Sequence, residues 1–176
     1  MFKLVIGFIL SVILAVVSFP LTCTAQLNEN FSDGDLTQNP VWSGDIQNYI
    51  VNSTGQAQLA ASTAGQSYIY TPVDFPDTCI WEIFVKLDFS PSTSNLLKII
   101  LLADNSNLST FNGYYLEIGE SGSSDAIRLF RSDTGTGTLL ASGTIGAISA
   151  NTNTFRIKIS RIDNNWSLTA DYTGGM

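Results

Sequence analysis

The stretch that decides the fold is WEIFVKLDF, residues 81–89, in which apolar and polar side chains alternate. Every odd-numbered position carries an aromatic or aliphatic side chain, and every even-numbered position except Phe84 carries a charge. Alternation with a period of two over nine residues predicts a β-strand with one buried and one solvent-facing side. From Gln26 onward, no segment has the sustained periodicity of an amphipathic helix.

The same alternation returns near the C-terminal end of the sequence. Phe155, Ile157 and Ile159 alternate with polar residues, and residues 166–170 repeat the pattern. The turn-forming run DNN, residues 163–165, separates the two stretches. The sequence therefore predicts a β-hairpin here.

Weaker strand patterns fill most of the remaining chain. Residues 96–103, LLKIILLA, lie between two polar runs, and their length favours a strand buried on both faces over a helix. Six further strand candidates are residues 49–52, 58–61, 67–71, 114–119, 127–131 and 138–142. Because short polar linkers join these segments, the sequence predicts an all-β fold, an antiparallel β-sandwich, without an internal domain boundary.

The first 25 residues have the layout of a secretory signal peptide. Lys3 supplies a positive charge, residues 4–19 form an uncharged apolar run, and small residues precede a cut before Gln26. The alternatives are an uncleaved membrane anchor and a lipoprotein acylated at Cys23. We therefore expect an exported protein, secreted or held at the cell surface.

Cleavage of 25 of the 176 residues leaves a domain of 151 residues at 26–176. This domain has 7 Lys+Arg against 15 Asp+Glu, a net charge of −8, and a single thiol, Cys79. A lone cysteine cannot form an internal disulfide, so we expect Cys79 to be a buried and unreactive side chain.

The composition excludes several classes of function. The chain contains no histidine, which rules out Ser-His-Asp and Cys-His catalysis and imidazole-ligated metals. A net charge of −7 argues against a nucleic-acid partner, because phosphates require a basic face. Contact with a membrane is expected only through an uncleaved leader.

The carboxylates do not form the pair that a polysaccharide hydrolase requires on a strand. Retaining glycosidases hold two carboxyl groups about 5–5.5 Å apart, which acids two residues apart on one strand could approach. Glu82 is followed at that spacing by Phe84, and Glu117 by Gly119. Glu117 and Glu120 are expected on opposite faces of the sheet. We therefore predict that the chain is not an enzyme.

One oxygen-rich turn is a candidate for calcium. Asp33 and Asp35 form a D-x-D turn, and Asn39 follows four residues later. The alternative is an ordinary turn, since Asp and Gly form turns without a metal. A second, weaker loop of the same kind contains Asp104, Asn105 and Asn107.

Two aromatic residues are candidates for stacking on a sugar. Trp42 follows Pro40-Val41 in a turn, and Tyr115 is predicted to point outward in phase with Glu117. Packing in the core or at its rim is the alternative for both, and it is the interpretation for Trp81 and Trp166. The other available rings are Tyr49, Tyr68, Tyr70 and Tyr114.

The order of these segments resembles a known family. It runs through NFSD at 30–33, PVW at 40–42, YIV at 49–51, WEIFVKL at 81–87, NGYYLEIG at 112–119, IRLFR at 127–131, RIKI at 156–159 and NW at 165–166. Over residues 27–176 it resembles the concanavalin A-like, laminin G-like jelly-roll modules at the N-termini of large secreted bacterial surface proteins. Many of those proteins carry lamin-tail or C-terminal sorting domains further on.

The resemblance implies a fold and a role. Such modules continue beyond the Asn-Trp hairpin, so residues 26–176 are expected to lack the last strand or strands of the jelly roll. The implied role is a non-catalytic, secreted or cell-surface module for adhesion or glycan binding within a longer protein, with an extracellular glycan or surface protein as partner. The alternative is a purely structural N-terminal domain, and a polysaccharide hydrolase is the least favoured reading.

Overall fold

The computed structural model describes residues 27–175, so the signal peptide predicted at residues 1–25 lies outside the described residues. The described chain forms eleven β-strands and a short 3₁₀ turn, Ile46–Asn48. The strands are β1 (Ser43–Gly44), β2 (Tyr49–Val51), β3 (Ala57–Leu59), β4 (Ile69–Tyr70), β5 (Thr78–Leu87), β6 (Leu97–Ala103), β7 (Gly113–Ile118), β8 (Arg128–Asp133), β9 (Thr136–Ser142), β10 (Asn153–Ile162) and β11 (Asn165–Asp171).

Two larger antiparallel sheets form the body of the fold. One has four strands in the order β6-β7-β8-β9, and the other has three in the order β11-β10-β5. Two small antiparallel pairs, β1 with β4 and β2 with β3, precede them in the chain. The all-β, antiparallel prediction is confirmed, whereas the jelly-roll connectivity stays a prediction.

The core lies between the inner faces of the two larger sheets. Ile157 and Ile159 on β10 are fully buried, as are Leu116 and Ile118 on β7. The remaining buried members of this cluster are Val85, Leu87, Leu101, Ile127, Leu129, Ile148 and Phe155. Because both sheets contribute one apolar face to a single cluster, the arrangement is a β-sandwich.

The strands that alternate most regularly fold as predicted. On β5 and β10 the apolar set faces the core, and the charged set faces solvent. β10 and β11 form the predicted hairpin, in which Ile162 pairs with Asn165 across the turn residues Asp163 and Asn164. Asp163 has a positive φ of +55°, which a short polar side chain tolerates.

The strand at Leu97–Ala103 differs from its prediction. It is an edge strand of the four-stranded sheet, with Lys98 exposed and Ile100 half-buried on its outer face. The two faces are therefore not equally buried, because the second sheet covers only the inner one. The register with β7 shifts between Ile100 and Leu102, where Leu101 turns into the core.

Across residues 27–175, no helix has the length and apolar character needed to cross a bilayer.

Candidate functional site

A shallow groove of about 370 Å³ has a mixed polar and aromatic lining. One wall comes from the segment that enters β4, with Gln66 and Tyr68. The other wall is the loop between β6 and β7. It contributes Ser106, Asn107, Leu108 and Ser109.

The β4 wall is fixed by backbone contacts around Tyr68. The Tyr68 N–H donates to Asp45 Oδ2 at 3.1 Å, and the Asp45 N–H donates to the Tyr68 carbonyl at 2.9 Å. Gly44 allows this approach, because a Cβ there would lie 2.5 Å from the Tyr68 carbonyl oxygen. The position therefore requires glycine.

The residue before Tyr68 is held from a second side. Ser67 Oγ accepts a hydrogen bond from Asn48 Nδ2 at 2.8 Å, and the Ser67 carbonyl accepts one from the Tyr49 hydroxyl at 3.0 Å. Burial raises the pKa of Tyr49, so this hydroxyl keeps its proton and remains a donor at neutral pH. These contacts fix the backbone from which the Tyr68 ring projects.

The loop wall is held by Asp104 and by the β8–β9 turn. Asp104 Oδ1 and Oδ2 accept hydrogen bonds from the Asn112 backbone N–H at 2.8 Å and from Asn112 Nδ2 at 2.7 Å. Asn112 Oδ1 in turn accepts the Thr134 N–H at 2.8 Å. Gly135 packs so closely that a Cβ would lie 2.1 Å from the Ser109 carbonyl oxygen. The hydrogen bonds from Asn112 hold the pKa of Asp104 below its ordinary value.

The lining combines one ring, that of Tyr68, with polar side chains that have no protein partner. Tyr70 lies outside the lining and stacks on Tyr68, with ring centroids 6.2 Å apart and planes 21° apart. The Asn107 Oδ1 atom accepts the Ser109 N–H at 3.0 Å, which leaves the Asn107 amide nitrogen available. Among residues 27–175, neither that nitrogen nor the side chain of Gln66 has a hydrogen-bond partner, and the same holds for the Ser106 and Ser109 hydroxyls.

The predicted calcium turn is held by hydrogen bonds among its own residues. Asp33 Oδ1 accepts the Asp35 N–H at 3.2 Å, and Asp35 Oδ1 accepts the Thr37 N–H and hydroxyl at 2.6 and 2.8 Å. The hydrogen bond from the Thr37 backbone lowers the pKa of Asp35. Asn39 follows with a positive φ of +49°. In the described part of the chain, no three acidic or thiol side chains are grouped to hold a metal. Calcium binding by Asp33, Asp35 and Asn39 stays a prediction.

Trp42 lies half-buried in the N-terminal loop, just before β1. Its indole N–H donates to Glu29 Oε2 at 3.4 Å, and its ring centroid is 5.9 Å from that of Phe31. The Trp42 backbone N–H donates to the Leu36 carbonyl at 2.9 Å. These are contacts within the loop, and ligand stacking by Trp42 stays a prediction.

Tyr115 points outward, as predicted, but its ring is packed and only 6% of the residue is exposed. Phe130 stacks on it at 5.1 Å, Phe111 meets its edge at 5.9 Å, and the Lys98 ammonium lies 5.0 Å from the ring centroid. Its hydroxyl lies over Gly137, where a Cβ would come within 2.2 Å. A sugar could stack on Tyr115 only by displacing one of these neighbours.

The expectation that Glu117 and Glu120 lie apart is corrected. Both bind Arg128: Glu117 Oε1 is 3.0 Å from Nη2, and Glu120 Oε1 is 3.0 Å from Nε. The strand ends before Gly119, whose φ of +135° breaks the alternation, and the Glu120 N–H donates to Asp125 Oδ1 at 2.6 Å. The two carboxylates are therefore engaged in ion pairs.

Comparisons of the chain with family models, with curated proteins and with solved structures find no match. The resemblance to concanavalin A-like modules accordingly stays an expectation from the pattern of strands and turns.

Sequence reasoning did not single out this groove. Tyr68 counted among the available rings and Asn107 belonged to an oxygen-rich loop, but nothing connected the two. No pattern in the sequence points to Gln66, Ser106 or Ser109. The available signal was a polar loop rich in Asn and Ser directly after a strand, which is a usual location for binding residues.

Proposed function

We propose that this chain is a non-catalytic β-sandwich module of a secreted or cell-surface protein, and that it binds glycan in the groove beside Tyr68. The observation that carries the proposal is the combination in one recess of an aromatic ring with unpartnered amide and hydroxyl groups. Sugars present an apolar C–H face and a rim of hydroxyl groups, and such a lining matches both surfaces.

The lining favours binding over hydrolysis. None of the six residues that line the groove is acidic or basic. Glycoside hydrolysis needs a carboxyl group on each side of the scissile bond, as acid and as nucleophile or base. A sugar held here by amides, hydroxyls and a ring meets no carboxyl group among the six lining residues.

A mutational binding experiment tests this function. The full chain, Tyr68→Ala and the control Tyr172→Ala are applied to a broad glycan array and to immobilised polysaccharides. Tyr172 is an exposed tyrosine that directly follows β11 and does not line the groove, so the control makes the same truncation outside it. We expect Tyr68→Ala to weaken binding at least fivefold, about 1 kcal/mol, because the stacking surface is lost.

Three outcomes would contradict the proposal. If the full chain binds no glycan on the array, the role as a structural N-terminal domain becomes the better interpretation. If Tyr172→Ala weakens binding as much as Tyr68→Ala does, glycan binds elsewhere or non-specifically. Release of reducing ends from any bound polysaccharide would show that the module is a hydrolase.

A further inference from the structure

The basic side chains of the described chain are nearly all paired with acids. Residues 27–175 contain seven Lys and Arg, and six of them form ion pairs with N···O distances between 2.7 and 3.4 Å. The pairs are Lys86–Asp88, Lys98–Glu117, Arg128–Glu117, Arg128–Glu120, Arg131–Asp133, Lys158–Glu82 and Arg161–Asp77.

The seventh cation, Arg156, is turned toward the outer face of the three-stranded sheet. Its Nε donates to the Gly174 carbonyl at 3.1 Å, and its guanidinium carbon lies 5.1 Å from the centroid of the Phe84 ring. None of the seven lines the groove beside Tyr68. An anion in that groove would therefore find no basic side chain among its lining residues.

The charges that hold the groove walls are negative. Asp45 accepts the Tyr68 N–H on one wall, and Asp104 anchors the loop of the other wall. The whole chain has a net charge of −7, so its overall field also repels anions. At an ionic strength of about 0.15 M, charges act over roughly 8 Å, so this repulsion is strongest at low salt.

We propose that the groove selects neutral glycans and rejects chains bearing uronate, sulfate or phosphate groups. This inference rests on the proposed function, since it assigns the class of ligand to the same site. Amide and hydroxyl groups replace the water around uncharged sugar hydroxyls. A carboxylate or sulfate brought to the same place would lose hydration without gaining an opposite charge.

Matched pairs of polysaccharides test the selectivity. Hydroxyethyl cellulose is compared with carboxymethyl cellulose, and neutral galactan with sulfated galactan. Galactomannan, xyloglucan and dextran complete the neutral set, and alginate and polygalacturonate complete the anionic set. Affinity electrophoresis of the full chain at low salt is expected to show retardation by at least one neutral polymer, sensitive to Tyr68→Ala, and none by the anionic polymers.

The failures of the two proposals are distinguishable in this experiment. Retardation by an anionic polymer, equal to or stronger than by its neutral counterpart and lost in Tyr68→Ala, would overturn neutral selectivity and leave glycan binding intact. Absence of retardation by every polymer, together with a blank glycan array, would overturn both.

A charge-gain variant gives a second test. Gln66 is exposed in the groove, and Gln58→Lys on β3 makes the same change of charge elsewhere. A cation about 6 Å from a bound anion contributes roughly 0.7 kcal/mol in water, about a threefold gain in affinity. Gln66→Lys should therefore be retarded by the anionic polymers at low salt under conditions in which the original chain is not. An equal gain in Gln58→Lys would show that net charge, not the groove, controls selectivity.

Discussion

At the scale of single residues, Asp104 holds the loop wall of the groove. Its carboxylate accepts two hydrogen bonds from Asn112 and one from Asn105 Nδ2 at 2.7 Å. All three favour the ionised form, and the Asn112 backbone N–H makes the largest contribution to the lowered pKa. The hydrogen bonds that hold the loop therefore depend on the Asp104 side chain being ionised.

This lowered pKa predicts a specific dependence on pH. A carboxyl group with a depressed pKa in the folded state stabilises the fold above its unfolded value and loses that contribution as pH falls through the folded value. In Asp104→Asn the contribution is absent at every pH. We expect the Tm of the original chain to exceed that of Asp104→Asn at pH 6, and the difference to shrink below the ordinary pKa of 3.8.

Asp35→Asn provides the matched control for this prediction. The pKa of Asp35 is also lowered by local hydrogen bonds, but its turn lies outside the groove. Both variants should lose the acid-dependent part of their stability, and only Asp104→Asn should also weaken glycan binding. A Tm difference for Asp104→Asn that stays constant from pH 6 to pH 2 would contradict the assignment.

At the scale of elements, β9 is the strand most open to another chain. It pairs with β8 on one side, and all seven of its residues are exposed. It contains no charged residue or proline, two of the devices that protect an edge strand, and Leu139 and Leu140 are 50% and 46% exposed. A register irregularity that leaves Leu140 unpaired with β8 is the one such device in the strand.

We predict that β9 mediates self-association at high protein concentration and that Leu140→Lys reduces it. A lysine on an edge strand opposes pairing because a second strand would have to bury the charge. The matched control is Ile145→Lys, 74% exposed and three residues beyond the strand. Sedimentation velocity over a concentration series should show less dimer for Leu140→Lys than for Ile145→Lys.

The sign of the charge effect makes this comparison informative. Either lysine brings the net charge of −7 closer to zero, which by itself favours association. A decrease in dimer therefore has to come from the altered edge. If the two variants form dimer to the same extent, β9 is not the strand through which the chains associate.

The elements also show how far the sequence could predict this molecule. β5 and β10 were predictable because each has a polar and an apolar face. Such a strand shows polar and apolar residues in strict alternation along the sequence. β6 was only partly predictable. Its apolar run indicates a strand, but it does not show whether a second layer covers the outer face of that strand. The groove was not predictable, since Tyr68 and Asn107 lie far apart in sequence and are brought together only by the tertiary fold.

The same limit applies to Tyr115. Its outward direction follows from alternation along β7, and that part was predicted correctly. The rings that cover it come from β8 and from the loop before β7, so its burial depends on cross-strand register. The alternation of residues along a strand predicts which face of the sheet a side chain points to. The exposure of that side chain also depends on the residues of the neighbouring strands.

At the scale of the whole molecule, one core joins the two larger sheets. Phe155 on β10 is a member of this core and is only 1% exposed. Val85 lies directly opposite Phe155 on β5, and the next position of β5, Phe84, faces outward. The two phenylalanines therefore sit on neighbouring strands with their side chains on opposite faces of one sheet.

This geometry predicts a large difference between two identical truncations. Phe155→Ala should lower the free energy of unfolding by about 3–5 kcal/mol, because it leaves a cavity between the sheets. Phe84→Ala removes a ring that is 36% exposed and contacts Arg156, so the loss should be about 1 kcal/mol or less. Urea titration of the full chain measures both losses, and an unchanged slope of the unfolding free energy against urea concentration would show that each variant still unfolds from a native state of similar compactness.

Domains of this size are stabilised by only about 5–15 kcal/mol, so a single core substitution removes a large share of the total. Equal losses in the two variants would mean that the outer face of the three-stranded sheet is also buried, and that the sandwich has a further layer on that side.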